Sequence, residues 1–243
     1  MDQWPNETMN QSMPPVFTRL AGKIPIRTHD HVAMLCRRRS EALPMAPFVK
    51  EGLERGDFCH YLAPLKFHAE LVVELRELEI NPEPFLESGR LRLRKGAAQP
   101  GVLGNQTRRI FEDAERAGAP GVRWLEEGSW PEQAGFPMSK FFDFHAVLNY
   151  QVKHFPSVAL CRYSVENAEP RHLFSAIATH RHLLVNDTLI RDNPFYIPAE
   201  KFIPLTPEER ESDLMRVFRD VGFNVEKLLE ALEGYGRLEP VKM

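Results

Sequence analysis

The chain has 243 residues, of which 43% are hydrophobic and 27% are charged, the balance of an ordinary soluble globular protein. Its 31 Lys and Arg residues and 34 Asp and Glu residues give a formal net charge of −3. This balance excludes the overall basic field that holds nucleic acid, so we expect no direct contact with nucleic acid. No apolar run approaches the roughly 18 residues that a membrane-spanning helix needs.

The amino terminus and the cysteines both indicate a cytoplasmic location. Residues 1–17 lack the basic and apolar regions of a secretory signal. Cys36, Cys59 and Cys161 are too few and too widely spaced for a disulfide framework or a paired-cysteine metal motif. We therefore predict a cytoplasmic protein with reduced thiols and no membrane partner.

Residues 1–28 are polar and contain prolines, which predicts a mobile leader that can order in part against the body. From residue 29 to residue 203, short apolar runs alternate with segments of helical period. The predicted strands lie at 31–36, 57–63, 90–95, 122–127, 157–163 and 181–187. The predicted helices between them lie at 41–55, 67–78, 105–117, 139–154 and 170–179. This alternation predicts an α/β domain over 29–203, a mainly parallel sheet with helices on both faces.

Two amphipathic stretches in residues 204–243 predict a short helical tail. Thr206 and Glu209 form a capping box, with Pro207 at the first helical position. A second amphipathic stretch follows Asn224. Such a pair packs on its own domain or meets another chain, and we favour packing on its own domain.

Six stretches carry a family resemblance: HVAML at 31–35, EGLERG at 51–56, LESGRL at 86–91, EGSW at 127–130, ALCRY at 159–163 and NPFYIP at 193–198. In this order they resemble the MEDS family, the sensory domain of methanogen and methylotroph signalling proteins. The run PFVKEGLERGDFCHYLA also resembles the first helix and second strand of KaiC-type, RecA-like ATPases. The resemblance implies a three-layer, RecA/KaiC-like sheet used for sensing small hydrocarbon derivatives. It also implies relatives joined to kinases, anti-sigma modules or DNA-binding regions.

The segment after the first predicted strand departs from the ATPase pattern. A P-loop wraps phosphates with the backbone of G-x-x-x-x-G-K-[ST], but residues 36–44 read CRRRSEALP and contain no glycine. The Ser-centred G-x-S-x-G signature is missing too, and Glu126 and Glu127 would point to opposite faces of a strand. We therefore expect a P-loop-less domain with no cofactor and no catalytic residues.

In the strand order that the resemblance implies, the fifth predicted strand lies between the first and the fourth. The carboxyl ends of these strands would bring Cys36, Glu127 and Cys161 to one crevice, with Trp130 and Tyr163 nearby. Aromatic walls with a few convergent polar groups are typical of small-molecule pockets. Simpler roles stay open, because buried cysteines usually pack as small hydrophobes and Glu127 could pair with an arginine.

Histidines and one tyrosine complete the candidate ligand-binding residues. His31 opens the first predicted strand and matches the family motif, and Tyr61 ends the second strand. The pairs His29–His31 and His180–His182 have the spacing of two ligands on one strand face, so either pair could contribute to a zinc site. Two ligands do not make a site, and we predict no metal.

These features predict a cytoplasmic sensor that binds a small organic ligand and passes the signal to a regulatory protein partner. Assembly into a homo-oligomer stays open. One alternative is an atypical nucleotide-binding or Cys161-dependent enzyme on a RecA-like fold, which ATP turnover and thiol alkylation would reveal. The other is a pure protein-interaction or oligomerisation module, in which the tail carries the contact.

Overall fold

The computed structural model describes residues 13–220 and 224–238. The strands are β1 Val16–Leu20, β2 Ile24–Arg27, β3 His31–Cys36, β4 Phe58–Leu62, β5 Leu91–Arg94, β6 Val122–Glu127, β7 Ser157–Ser164, β8 His182–Val185 and β9 Thr188–Ile190. The helices are α1 Ala46–Arg55, α2 Leu65–Glu77, α3 Glu83–Glu87, α4 Pro100–Arg116, α5 Trp130–Ala134, α6 Met138–Gln151, α7 Pro170–Thr179, α8 Ala199–Phe202, α9 Pro207–Val217 and α10 Val225–Leu238. Within these residues, every helix is too short or too polar to cross a bilayer.

A seven-stranded sheet with the order β5-β4-β6-β7-β3-β8-β9 forms the centre of the molecule. Its strand pairs are parallel except for the last, β8 with β9. The prediction of an α/β fold with a mainly parallel sheet is confirmed. The fifth predicted strand, β7, lies between the first, β3, and the fourth, β6, as the resemblance implied.

Helices cover both faces of the sheet, because its central strands are apolar on both sides. On one face, Ala33 and Leu35 of β3 join a core with Leu103 of α4 and Phe141 of α6. On the other face, Val32 and Met34 of β3 and their neighbours join a core with α1, α2 and the β1–β2 hairpin. We call these the α6 face and the α1 face. The alternation of side chains along each strand decides which face a residue serves.

Part of the predicted mobile leader is a packed hairpin. β1 and β2 pair antiparallel around a turn at residues 21–23, where Gly22 has a φ of 71°. Phe17, Leu20 and Ile26 are buried in the α1-face core. The leader prediction allowed partial ordering against the body, and residues 16–27 are its ordered part, held on the larger core by these three apolar side chains. The first twelve residues of the predicted leader lie outside the described part.

The tail packs on its own domain. The predicted capping box is confirmed by two reciprocal hydrogen bonds, Thr206 N to Glu209 Oε2 at 2.8 Å and Glu209 N to Thr206 Oγ1 at 3.3 Å. Leu214 of α9 and Leu228 of α10 are buried in the α6-face core. Residues 221–223 and 239–243 of the predicted tail are outside the described part.

His60 of β4 is buried on the α6 face without a hydrogen-bond partner for either ring nitrogen among the described residues. Its ring stacks on Trp124, with the centroids 4.3 Å apart. Burial, reinforced by the positive charges of Arg94 and Arg92, lowers the pKa of His60 to about 3. Below the pKa of an ordinary histidine, the unfolded chain therefore binds a proton that the native state does not bind.

We expect His60 to make the protein less stable in acid. Above about pH 7 His60 leaves the free energy of unfolding unchanged. Between about pH 7 and pH 5 it lowers the free energy of unfolding by about 2 kcal/mol. His60→Phe keeps the stacking and removes the titrating group, so its stability should depend less on pH. Urea unfolding at both pH values measures this, with the exposed His154→Gln as control. Equal pH dependence in wild type and His60→Phe would contradict the assignment.

Candidate functional site

A crevice opens at the carboxyl ends of β6 and β7, the edge where ligands bind in parallel sheets. Its volume is about 230 Å³. Charged and apolar side chains share its lining: Arg39, Lys66, Glu127, Glu132, Arg162, Phe67, Met138, Phe142, Tyr163 and His172. Pockets for drug-sized ligands begin at about 300 Å³, so this crevice suits a smaller molecule.

Glu127, the last residue of β6, is the centre of the polar side of the crevice. It is buried and accepts hydrogen bonds from Tyr61 Oη at 2.7 Å and Arg39 Nη1 at 3.1 Å. Arg162, its neighbour on β7, donates through Nε at 2.9 Å and makes a second contact through Nη2. Burial, followed by the charge of Glu127, raises the pKa of Tyr61, so its hydroxyl stays protonated and donates. Glu127 is therefore paired with arginine, which is the simpler of the two roles predicted for it. Tyr61 lines an adjoining cavity.

Cys36 ends β3 on the α1 face, outside the crevice lining. Its thiol donates to the backbone oxygen of Tyr163 at 3.5 Å, and it lines a smaller cavity beside Arg162. Burial raises the pKa of Cys36 to about 11. At neutral pH this thiol is protonated, which makes it a poor nucleophile.

On the α6 face, four buried side chains converge: His31, His145, Cys161 and His180. We call them the His–Cys cluster. His31 Nε2 lies 3.4 Å from His145 Nδ1 and 3.5 Å from Cys161 Sγ. Cys161 Sγ lies 3.8 Å from His145 Nδ1, and all four ligand atoms fall within 4.8 Å of one another. β3, α6, β7 and the end of α7 each supply one member.

The hydrogen bond between His31 and Asn149 fixes the orientation of the His31 ring. Asn149 Nδ2 donates to the backbone oxygens of His145, Ala146 and Thr179. The Asn149 oxygen must therefore face His31, whose Nδ1 lies 3.1 Å from it. Nδ1 of His31 then carries the proton, and Nε2 presents its lone pair to the cluster.

The other two histidines are oriented in the same way. His145 Nε2 lies 3.3 Å from Glu126 Oε1, so its inner Nδ1 has the lone pair. His180 Nδ1 lies 2.7 Å from the backbone oxygen of Ala176, which leaves the lone pair on Nε2. Burial, followed by the charges of neighbouring histidines, lowers the pKa of His180 well below its ordinary value. The imidazole of His180 is therefore neutral, which is the form that binds metals.

Glu126 lies beneath the His–Cys cluster and is fully buried. It accepts hydrogen bonds from Trp124 Nε1 at 2.9 Å and Trp130 Nε1 at 2.8 Å. Trp130 therefore positions Glu126 and does not line the crevice. The prediction that Glu126 and Glu127 point to opposite faces is confirmed by their separate partners.

Tyr163 connects the crevice with the cluster. Its ring lines the crevice, and its hydroxyl lies 3.5 Å from His145 Nε2. Gly128 allows the ring this position, because a Cβ atom on Gly128 would overlap the Tyr163 ring. A change in the crevice can therefore reach the cluster through one side chain.

The candidate residues separate by face of the sheet, and Cys36, Glu127 and Cys161 do not share one crevice. Cys36, Tyr61 and Glu127 are on the α1 face. His31, Trp130, Cys161 and Tyr163 are on the α6 side. The physical reason is the two-residue period of strands, which sends residues at one sheet edge to opposite sides.

Sequence reasoning missed His145 and Asn149, and it paired the histidines wrongly. His145 and Asn149 are one helical turn apart on the buried side of α6. Two polar residues on the inner side of a predicted helix were the available signal. From each predicted pair, one histidine is absent from the cluster: His29 bonds the backbone oxygen of Val152, and His182 pairs with Asp30.

The sequence model of the MEDS family, described as the methanogen/methylotroph, DcmR sensory domain, matches residues 30–181. The transcriptional repressor DcmR of Methylorubrum extorquens is 24% identical to this chain over 165 residues, which is 67% of the chain. The chain spans 62% of the length of that repressor.

A comparison with solved structures finds two proteins with partial similarity to this chain. A KaiC-like protein of the hyperthermophilic archaeon Pyrococcus horikoshii is 11% identical, with a TM-score of 0.44, over 70% of this chain and 81% of its own. An uncharacterized protein of Pyrococcus horikoshii, solved with an unknown peptide, is 12% identical, with a TM-score of 0.49. That alignment covers 68% of this chain and 79% of the archaeal one.

Proposed function

We propose that this chain, which belongs to the MEDS family of sensory domains, binds a small organic ligand in the crevice and signals to a regulatory partner in the cytoplasm. The likeness to a transcriptional repressor supports a role in transcription regulation. The three cysteines are free, which fits a reducing compartment.

The position and lining of the crevice carry this proposal. Phe67, Met138, Phe142 and Tyr163 give it apolar and aromatic walls at the carboxyl edge of the sheet. Apolar walls around a small volume favour a molecule with few heavy atoms, which agrees with hydrocarbon derivatives as the ligand class.

The charged side chains of the crevice further narrow the class of ligand that it can bind. Arg39 and Arg162 both pair with Glu127, and Arg39 also pairs with Glu70 at 2.7 Å, so the two arginine charges are compensated by two carboxylates. Lys66 is exposed at the rim and adds a positive charge there. The crevice therefore suits a ligand with an apolar body and a polar or anionic end.

Helix α6 is the route by which we expect a signal to leave the crevice. Met138 and Phe142 line the crevice near the beginning of α6. Farther along the helix, Val147 and Tyr150 are exposed apolar side chains that a partner protein could contact. A shift of α6 on ligand binding would move this outer surface.

The structure gives less support to the two alternatives. Burial raises the pKa of Cys161 well above its ordinary value, which disfavours a thiolate nucleophile. The apolar side chains of the tail pack into the α6-face core, which disfavours the tail as a docking helix.

A thermal-shift screen tests the proposal. We expect at least one short-chain alcohol, halogenated hydrocarbon or carboxylic acid to raise the melting temperature. Ligand at about 100 times its Kd stabilises the folded state by about 2.7 kcal/mol, or about 5–10 °C for a domain of this size. A complete panel without any shift at solubility-limited concentrations would overturn the proposal, and a shift with nucleotides alone would favour the nucleotide-binding alternative.

A pair of lysine variants locates the binding site. Lys66→Ala should weaken binding of an anionic hit several-fold and leave a neutral hit unaffected, because it removes the rim charge. Lys201→Ala is the matched control, since Lys201 is exposed and lies outside the crevice lining. Calorimetric titration measures the affinities. Equal weakening by both variants would place binding elsewhere.

A further inference from the structure

We infer that the His–Cys cluster of His31, His145, Cys161 and His180 is a binding site for a divalent transition-metal ion, with Zn²⁺ as the ion that fits best. The site lies on the α6 face of the sheet, behind Tyr163 and outside the crevice lining. Its ligands come from four different elements, and His31 lies 114 residues before His145 in the sequence.

The spacing of three of the four ligand atoms is close to that of a tetrahedral zinc site. Bonds of about 2.05 Å to nitrogen and about 2.3 Å to sulfur require nitrogen atoms about 3.3 Å apart and sulfur about 3.5 Å from each nitrogen. The His31 and His145 nitrogens are 3.4 Å apart. Cys161 Sγ lies 3.5 Å and 3.8 Å from them. An ion therefore fits these three ligands with movements of a few tenths of an ångström, and the ligand atom of His180, which lies within 4.8 Å of the others, would move inward by up to about an ångström to complete the tetrahedron.

The hydrogen-bond donors and acceptors of the four cluster side chains also favour a bound cation. The outer nitrogen of each histidine donates to Asn149, Glu126 or a backbone oxygen, so three inner lone pairs face one another. The thiol of Cys161 has a single hydrogen to share among them. His180 Nε2 has no hydrogen-bond partner among the described residues, although it is buried. A bound metal would satisfy all three nitrogens at once.

The outer partners are those that support metal ligands in proteins. Histidines that bind metals usually donate their other N–H to a carboxylate, an amide or a backbone oxygen, which fixes ring orientation. Here Glu126, Asn149 and the Ala176 backbone fill these three roles. Each of the three histidine ligands therefore has a hydrogen-bond partner outside the cluster that holds its ring in place.

Charge balance gives a further reason. Glu126 is fully buried, and its described partners are two indoles and His145. A buried carboxylate without a cation is costly. A divalent cation, a Cys161 thiolate and the Glu126 carboxylate sum to zero charge. Metal binding would release the thiol proton, so the buried cluster, which carries the single negative charge of Glu126 without the ion, would become neutral.

The ligand types select the ion and its role. Sulfur and imidazole ligands favour zinc and related transition metals, whereas Mg²⁺ and Ca²⁺ require oxygen. Four protein ligands leave no open position, which is typical of sites that stabilise a fold. The metal would tie α6 and the end of α7 to the sheet, and α6 also forms a wall of the crevice.

Metal analysis of the full chain tests this inference. Protein expressed with added zinc and purified without chelators should contain about one zinc ion per chain by mass spectrometry of the elements. Replacement by Co²⁺ should give the thiolate-to-cobalt charge-transfer band and strong visible bands of tetrahedral cobalt. Wild-type protein with less than about 0.1 equivalent of zinc, cobalt, nickel, copper or iron, and no such bands, would overturn the inference.

Variants assign the metal to this cluster. Cys161→Ala should lose the charge-transfer band and most of the metal, and His180→Gln should lower the metal affinity about 10–100-fold or more. Cys59→Ala is the matched control, because Cys59 is equally buried but lies on the α1 face. Metal retained in both cluster variants, or lost equally in Cys59→Ala, would overturn the assignment. If Cys161→Ala does not fold, the wild-type cobalt spectrum and His180→Gln still decide.

Discussion

Replacing Arg123 by Met is expected to lower the free energy of unfolding by about 3–5 kcal/mol. Arg123 of β6 and Asp57 before β4 are both fully buried, and Arg123 Nε donates to Asp57 Oδ2 at 2.8 Å. Arg123 Nη1 also donates to the backbone oxygen of Phe48 in α1 at 2.8 Å. The variant leaves a buried carboxylate whose other described cation, Arg55, is partly exposed. Loss of a buried ion partner costs far more than loss of a surface one.

Urea unfolding measures this effect. Arg116→Met is the matched control, because Arg116 pairs with Asp113 at the surface with 72% of its side chain exposed. The control should change stability by less than about 1 kcal/mol. A combined Arg123→Met and Asp57→Asn variant should recover part of the loss, because it removes the stranded charge. Similar stabilities for Arg123→Met and Arg116→Met would contradict the assigned role.

Replacing Glu127 by Leu is expected to have the second large effect, again about 3–5 kcal/mol. Arg162 would remain buried on β7 without its carboxylate, and the Tyr61 hydroxyl would lose its acceptor. Because Glu127 and Arg162 both line the crevice, the response to any ligand found in the screen should be lost as well. Glu127→Gln keeps an acceptor for Tyr61 and should therefore cost less than Glu127→Leu.

Chemical unfolding and the ligand-induced thermal shift provide the two readouts. Glu132→Gln is the control, since Glu132 lines the same crevice but is exposed and pairs with His172. We expect Glu132→Gln to unfold within about 1 kcal/mol of wild type. A Glu127→Leu variant as stable as Glu132→Gln would show that the buried network contributes little.

The sheet was predictable from the sequence because its signals are local. β3 and β7 are short, continuously apolar runs, and such runs between amphipathic helices specify buried parallel strands. The capping box at Thr206 was predictable for the same reason, since all of its partners lie within four residues. The order of the strands came from the family resemblance, which supplied the non-local information.

The His–Cys cluster was not predictable from spacing. Its members are brought together by tertiary packing, and the shortest sequence separation between His31 and another member is 114 residues. The two-residue period of a strand predicts that His29 and His31 share a face. His29 instead has a left-handed φ of 71°, and its ring contacts the backbone oxygen of Val152, away from the cluster. The sequence predicted partial ordering of the leader but not the hairpin of residues 16–27, because its stabilising partners, α1 and the buried Arg123, are also distant in sequence.

The crevice at the ends of β6 and β7 is the proposed sensing site. Hydrogen–deuterium exchange of the full chain, with and without the strongest ligand from the screen, tests it most directly. We expect slower exchange in peptides covering 127–142 and 162–172, with little change in the β1–β2 hairpin and α1. Protection confined to the hairpin, α1 or the tail would contradict it.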